Sequence, residues 1–261
     1  MNRTRSPLSI TLAVWQALLL RESLSRLFAR RAAWVWLLLE PAAHMAFMVL
    51  IFTVIRLRQV GGIETGLWLI IGFLGFFFFR RTGSQGANGI NANRSLFAYR
   101  QVKPIDTVLM RAVLEGLLML VVSVVILAGA GLLGFHVLPS DPLAVMEAVF
   151  GLWLLGLGFG LVASVIKELV PELDNLLDMI MMPMLMISGV ILPLSAVPYP
   201  YREWLMYNPV AHGLEAVRLG FAPYYHAVPE LSLPYLYGFA LVLLFFGLAL
   251  HARFAQRLMT Q

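Results

Sequence analysis

The 261-residue chain contains no cysteine. That removes disulfides, thiolate metal sites and cysteine nucleophiles together. Lysine is almost as scarce: Lys103 stands before Pro104 and Lys167 before Glu168. A phosphate-binding loop needs a lysine followed by serine or threonine after a glycine-spaced run, so this chain cannot supply one. Nucleotide-driven work would have to draw on another subunit. There is no H-E-x-x-H pair, and the one tempting serine, Ser188 in MISGVIL, lacks the G-x-S-x-G context of a hydrolase elbow. Charge is thin as well, at 13% of residues against 60% hydrophobic, with a mean hydropathy of +0.83. A soluble domain of this size cannot hide so much apolar surface, which leaves an integral membrane protein.

What is present is arranged in long apolar runs. A spanning helix needs about 20 apolar residues, and residues 34–55, 108–135, 145–166, 176–194 and 233–250 qualify. Another run, 66–79, stops after fourteen residues but continues through Arg80, Arg81, Ser84, Gln85, Asn88 and Asn91 with no proline to end a helix. Counting it gives six crossings, with both termini on one side. Fifteen of the arginines and lysines fall on that side, against Arg56, Arg58, Arg202 and Arg218 on the other. The positive-inside rule makes the first side cytoplasmic, although the link KELVPELDNLLD there is acidic. The first thirty residues lack the cleavage pattern of a signal peptide. Leu20, Leu24, Leu27 and Phe28 instead share a helical face opposite Glu22, Ser25 and Arg26. The expectation is an all-α membrane protein: an amphipathic surface helix over residues 1–33, then a transmembrane domain over 34–261.

If residues 66–91 form one helix, Arg81, Ser84, Gln85, Asn88 and Asn91 make a polar stripe on its second half. Facing lipid, such groups cost several kcal/mol each, so they are expected to face other helices or a hydrated path. The plainer reading ends the helix at Phe79. Next comes an exposed patch of mixed apolar and basic character, Arg94, Leu96, Phe97, Tyr99 and Arg100, suited to a docking partner or to anionic lipid. Residues 195–222 are aromatic and broken by proline. Within them Asn208 is a good N-cap and Pro209 suits the first helical position. The helix that follows, to about Phe221, is roughly 20 Å long, too short to span and expected to re-enter the leaflet it left. His212, Glu215 and Arg218 follow one another on one side of it. A hydrolase built on Ser188 and His212 is one reading, and an i,i+3 pair of Glu215 with Arg218 that ties the helix to its neighbours is the other. Glu40 with His44, and Glu115, raise proton coupling, but no inverted repeat accompanies them. Trp68, Tyr199, Tyr201, Trp204, Tyr207, Tyr224 and Tyr225 crowd the outer side, as an interfacial belt or a glycan-lining surface.

The order of parts resembles the ABC-2-type permeases: a surface helix, six crossings, a cytoplasmic coupling loop after the second and a re-entrant hairpin before the last. Within that group, RQVKPIDTVLMRAVLE, SGVILPLSAVP and YNPVAHGLEAVR resemble the capsule-polysaccharide export permeases of Kps type, along essentially the whole chain. The resemblance implies a homodimer joined to two ATP-binding subunits that carry the ATP and Mg, with no cofactor and no catalytic or metal site on this chain. It implies coupling through residues 92–104, and a passage bordered by the first, second and fifth crossings. Arg80, Arg81, Ser84, Gln85 and Asn88 would line the inner vestibule, and Tyr199, Tyr201, Trp204 and Tyr207 an outer gate. The implied cargo is an anionic, lipid-linked polysaccharide, passed from the inner membrane to a periplasmic adaptor and an outer-membrane channel. A permease for O-antigen, teichoic acid or a small molecule would share the same architecture.

Overall fold

The computed structural model describes residues 6–28, 33–54, 59–99 and 101–260. Arg30, Arg31, Arg56, Arg58 and Arg100 lie outside the described residues. The helices are α1 (Pro7–Phe28), α2 (Ala33–Val54), α3 (Thr65–Ala87), α4 (Pro104–Leu132), α5 (Pro142–Leu169), α6 (Asp174–Ile187), α7 (Tyr201–Leu205), α8 (Pro209–Phe221) and α9 (Leu233–Thr260). Between α2 and α3 sits a two-stranded hairpin, Gln59–Val60 with Ile63–Glu64, which the all-α expectation did not include. Its two-residue turn needs positive φ at both positions, and Gly61 and Gly62 supply 57° and 93°.

Among the described residues five helices, α2, α3, α4, α5 and α9, are long and apolar enough to cross a bilayer. The run at 176–194 behaves differently from its expectation. It is helical only over the 14 residues of α6, about 21 Å at 1.5 Å per residue, short of the roughly 30 Å hydrocarbon core. The helix stops because Gly189 takes φ +77°, with Leu194 folded against it where a side chain would stand.

α3 answers the question of the half-polar helix: it continues without a break past Phe79 to Ala87. It is also the central helix, with 83% of its spanning window buried, against 11% for α2 and 17% for α9. Lipid tails give no hydrophobic drive between helices, so the fit rests on close packing through small residues. Gly83 and Gly86 of α3 meet Gly156 and Gly160 of α5, and a Cβ on Gly160 would stand 3.2 Å from the Gly86 Cα. On its other side α5 presents Gly158 to Ala240 and Leu243 of α9.

α4 begins where QVKPIDT lies in the sequence. Pro104 takes the first turn, Asp106 Oδ2 accepts the Lys103 amide at 3.1 Å, and its Oδ1 accepts Trp15 Nε1 at 2.9 Å. One carboxylate therefore starts α4 and anchors α1. The polar face of α1 has a partner in the protein. Leu20 and Leu24 are exposed, whereas Glu22 and Arg26 turn towards the protein instead of water. α8 begins at Asn208, whose side chain caps the Val210 amide at 3.0 Å, and it ends at Phe221 as its sequence suggests.

Candidate functional site

The second half of α3 borders a polar recess of about 410 Å³. Arg80, Arg81, Ser84, Gln85 and Asn88 form one wall, Glu40 and Pro41 of α2 a second, and Met181 of α6 a third. All five α3 candidates are thus brought together. Asn91 is not among them, because the helix has ended and it opens a 3-10 stretch, Asn91–Ala98, as an exposed residue. Arg81 faces Glu40 across the recess at 3.8 Å.

Behind this wall lies a second layer of charge. Gln85 Oε1 accepts Arg26 at 2.7 Å and Arg111 at 3.2 Å. Arg111 also donates to the Asn88 carbonyl at 3.0 Å, satisfying the end of α3. Glu22 bridges Arg26 and Arg111, each at 3.1 Å, and Glu115 pairs with Arg26. Two arginines and two glutamates balance in a largely buried cluster, with Glu115 its most buried member. Burial, and then neighbouring Arg111, lower Arg26 to about 10 while Glu22 holds it up, so it keeps its charge at neutral pH. The sequence carried a signal for this cluster that went unread. Glu22/Arg26 and Arg111/Glu115 are both i,i+4 pairs of opposite order, the pattern of two helices exchanging charges.

The 3-10 stretch is tied down from three sides. Arg94 reaches Glu168 at the end of α5 at 2.6 Å, Asn93 accepts Arg21 of α1 at 2.7 Å, and Phe97 packs into an apolar cluster with Ile90 and Val108. Leu96 is half-buried and Tyr99 exposed; Arg100 is outside the described residues. Lys167 beside Glu168 donates to the Asn88 side chain at 3.2 Å and pairs with Asp174, the first residue of α6.

Tyr199, Tyr201, Trp204 and Tyr207 are exposed, with the Tyr201 and Trp204 rings edge-on at 5.4 Å. They share no wall with the recess. Trp68 and Tyr225 do not belong with them, since both are buried. The Arg218 guanidinium lies 3.7 Å over the Trp68 ring, and Tyr225 donates to Glu215 at 2.9 Å. Burial raises the Tyr225 phenol to about 12, so it remains the donor.

Around α8, His212 and Ser188 are each bonded to other partners. His212 Nδ1 accepts the Ser232 amide at 3.0 Å, so its Nε2 carries the proton and donates to the Met206 carbonyl at 2.7 Å. Neither nitrogen is left for a base. Ser188 donates to the Met184 carbonyl and accepts Asn208 Nδ2 at 2.8 Å, so it has no base of its own. Glu215 and Arg218 pair at 3.1 Å, fully buried, as the structural reading of their spacing requires.

The fold and the site describe a helical membrane protein with a charged recess beside a pinned surface turn. The chain belongs to the ABC-2 type transporter family, which matches residues 13–222. It is 33% identical to the polysialic acid transport protein KpsM of Escherichia coli, over 98% of this chain and 99% of that one. It is 28% identical to the capsule polysaccharide export inner-membrane protein CtrC of Neisseria meningitidis, over 92% and 90% respectively. Its identity to the capsule polysaccharide export inner-membrane protein BexB of Haemophilus influenzae is 24%, over 83% and 82%.

Proposed function

We propose that the chain is the membrane-spanning subunit of an ATP-driven exporter that carries an anionic, lipid-linked capsular polysaccharide across the inner membrane. The polysialic acid transport protein KpsM and the capsule polysaccharide export proteins CtrC and BexB support a polysaccharide cargo. The observation that carries the mechanism is the charged recess formed by α2, α3 and α6 next to the turn Asn91–Ala98.

Two copies would meet across α2 and α6, whose Trp36, Phe47, Leu50, Met182 and Met186 are exposed, so that both recesses open on one passage. α6 with the non-helical residues after it would make the fifth of six crossings, leaving both termini in the cytoplasm. Two ATPase subunits would bind ATP and Mg and press on Arg94, Leu96, Phe97, Tyr99 and Arg100; this chain needs no cofactor. Arg80 and Arg81 attract the anionic chain, while Ser84, Gln85 and Asn88 give it a polar wall. Residues 195–222 act as the outer gate. There Tyr199, Tyr201, Trp204 and Tyr207 offer flat faces to the glycan, and Asn208, Pro209, His212, Glu215 and Arg218 hold the gate's frame. A periplasmic adaptor and an outer-membrane channel receive the product.

The test is Arg80→Gln with Arg81→Gln. Neither cation supports the buried cluster, so the double variant should assemble with the ATPase and yet place far less polysaccharide on the cell surface. Undiminished surface polysaccharide would remove the recess from the transport path.

A further inference from the structure

The recess contains an anion of its own. Glu40 lines it, 76% exposed, on a helix whose neighbouring Trp36, Leu39 and Phe47 are apolar and exposed. A carboxylate within a spanning helix is unfavourable unless it faces water or a cation. The cation it faces is Arg81, at 3.8 Å, too far for a hydrogen bond. Three other acids at this end are held quite differently. Glu22 is gripped by two arginines at 3.1 Å, Glu115 is 1% exposed against Arg26, and Glu168 is 2% exposed with Arg94 at 2.6 Å. Glu40 combines exposure, a loose partner and a place in the cavity wall. Arg81 is unfinished in the complementary sense, since its Nη1 is buried with no hydrogen-bond partner. The wall therefore holds Arg80 and Arg81 against one exposed, loosely paired carboxylate.

We infer that Glu40 is a built-in counter-anion, occupying Arg81 until a carboxylate or phosphate of the glycan displaces it, and that it sets how tightly the recess holds an anionic chain. The inference rests on the recess being the glycan path. Its physical logic is exchange: one anion leaves the guanidinium as another arrives, so the recess never presents two uncompensated cations. Binding then stays weak enough for the chain to move on. A recess with the same cations and no Glu40 would hold its cargo in place.

The test uses the full-length permease in phosphatidylcholine nanodiscs, with labelled oligosialic acid as the anionic probe and an uncharged glucose oligomer as the neutral one. Glu40→Gln should tighten oligosialic acid by about fivefold, the scale of one exposed ion pair, with a steeper salt dependence and no change for the neutral probe. Glu40→Asp should match the parent. In an Arg81→Gln background the Glu40→Gln effect should vanish, because the two residues act as one unit. Unchanged affinity in Glu40→Gln, with weakening in Arg80→Gln/Arg81→Gln, would overturn the counter-anion role and leave the glycan path standing. Equal tightening of both probes would point to widened space in place of charge, and would also overturn it. If no form bound oligosialic acid, both readings would fall together.

Discussion

Arg218 is 0% exposed, an unusual place for a guanidinium. Its surroundings explain how it is held there. Glu215 lies at 3.1 Å on the same helix, the Trp68 ring of α3 at 3.7 Å, and the Val190 carbonyl, just after α6, at 3.4 Å. Gly72 leaves the space: a Cβ there would stand 2.5 Å from the guanidinium. One side chain thus ties α8 to α3 and to the break after α6. Burying a charge pair is costly, and removing one member is costlier than removing both, because the survivor is left unpaired. Arg218→Ala should lower stability by about 3–5 kcal/mol, read as early loss of monodispersity on heating in detergent. Glu215→Leu with Arg218→Met should recover much of that loss. If the double variant were as unstable as the single one, the pair would be a fit of shape and not of charge.

At the scale of elements, the helices are held by how closely their backbones approach. A Cβ on Gly156 would come within 2.6 Å of the Phe79 carbonyl of α3, whereas one on Gly129 in α4 would meet nothing within 4 Å. Gly156→Ala should therefore cost about 1–3 kcal/mol as α3 and α5 are forced apart, and Gly129→Ala should be neutral or stabilising by up to about 1 kcal/mol. Parallel thermal unfolding of the two variants decides it. This level of the fold was partly legible in advance. Asn208-Pro209 marked the start of α8, and the lack of proline after Phe79 allowed α3 to run on, because those signals are local. The end of α6 was not legible: hydropathy stays high through Ile191 and Leu192, and the break depends on Gly189 meeting Leu194 in a turn. Nor was the burial of Trp68, since its partner Arg218 lies 150 residues away and no local rule separates it from a belt tryptophan. The α3 wall of the recess could be read from one helix's own spacing. Its other walls, Glu40 and Met181, are set by how α2 and α6 pack.

On the scale of the whole molecule, the turn Asn91–Ala98 and the recess are joined through the end of α5. Glu168 holds Arg94 of the turn, while the adjacent Lys167 holds Asn88, which caps α3, and Asp174 of α6, and both helices wall the recess. A push on the turn from the proposed ATPase partner would reach α5 through Arg94 and Glu168. From there it would pass to both helices at once, since Lys167 and Glu168 sit on one rigid turn of helix. Glu168 is nearly fully buried, so its pair with Arg94 is screened little by salt. Arg94→Glu and Glu168→Arg should each reduce surface polysaccharide by about tenfold, since like charges then face each other where 2.6 Å now separates opposite ones. Combined, the exchanged pair restores attraction across the same gap and should return most of the export. Measuring ATP hydrolysis beside export separates transmission from docking. If the pair transmits, the single variants keep hydrolysing ATP while export fails, whereas loss of hydrolysis in step with export would make Arg94 a docking contact and nothing more.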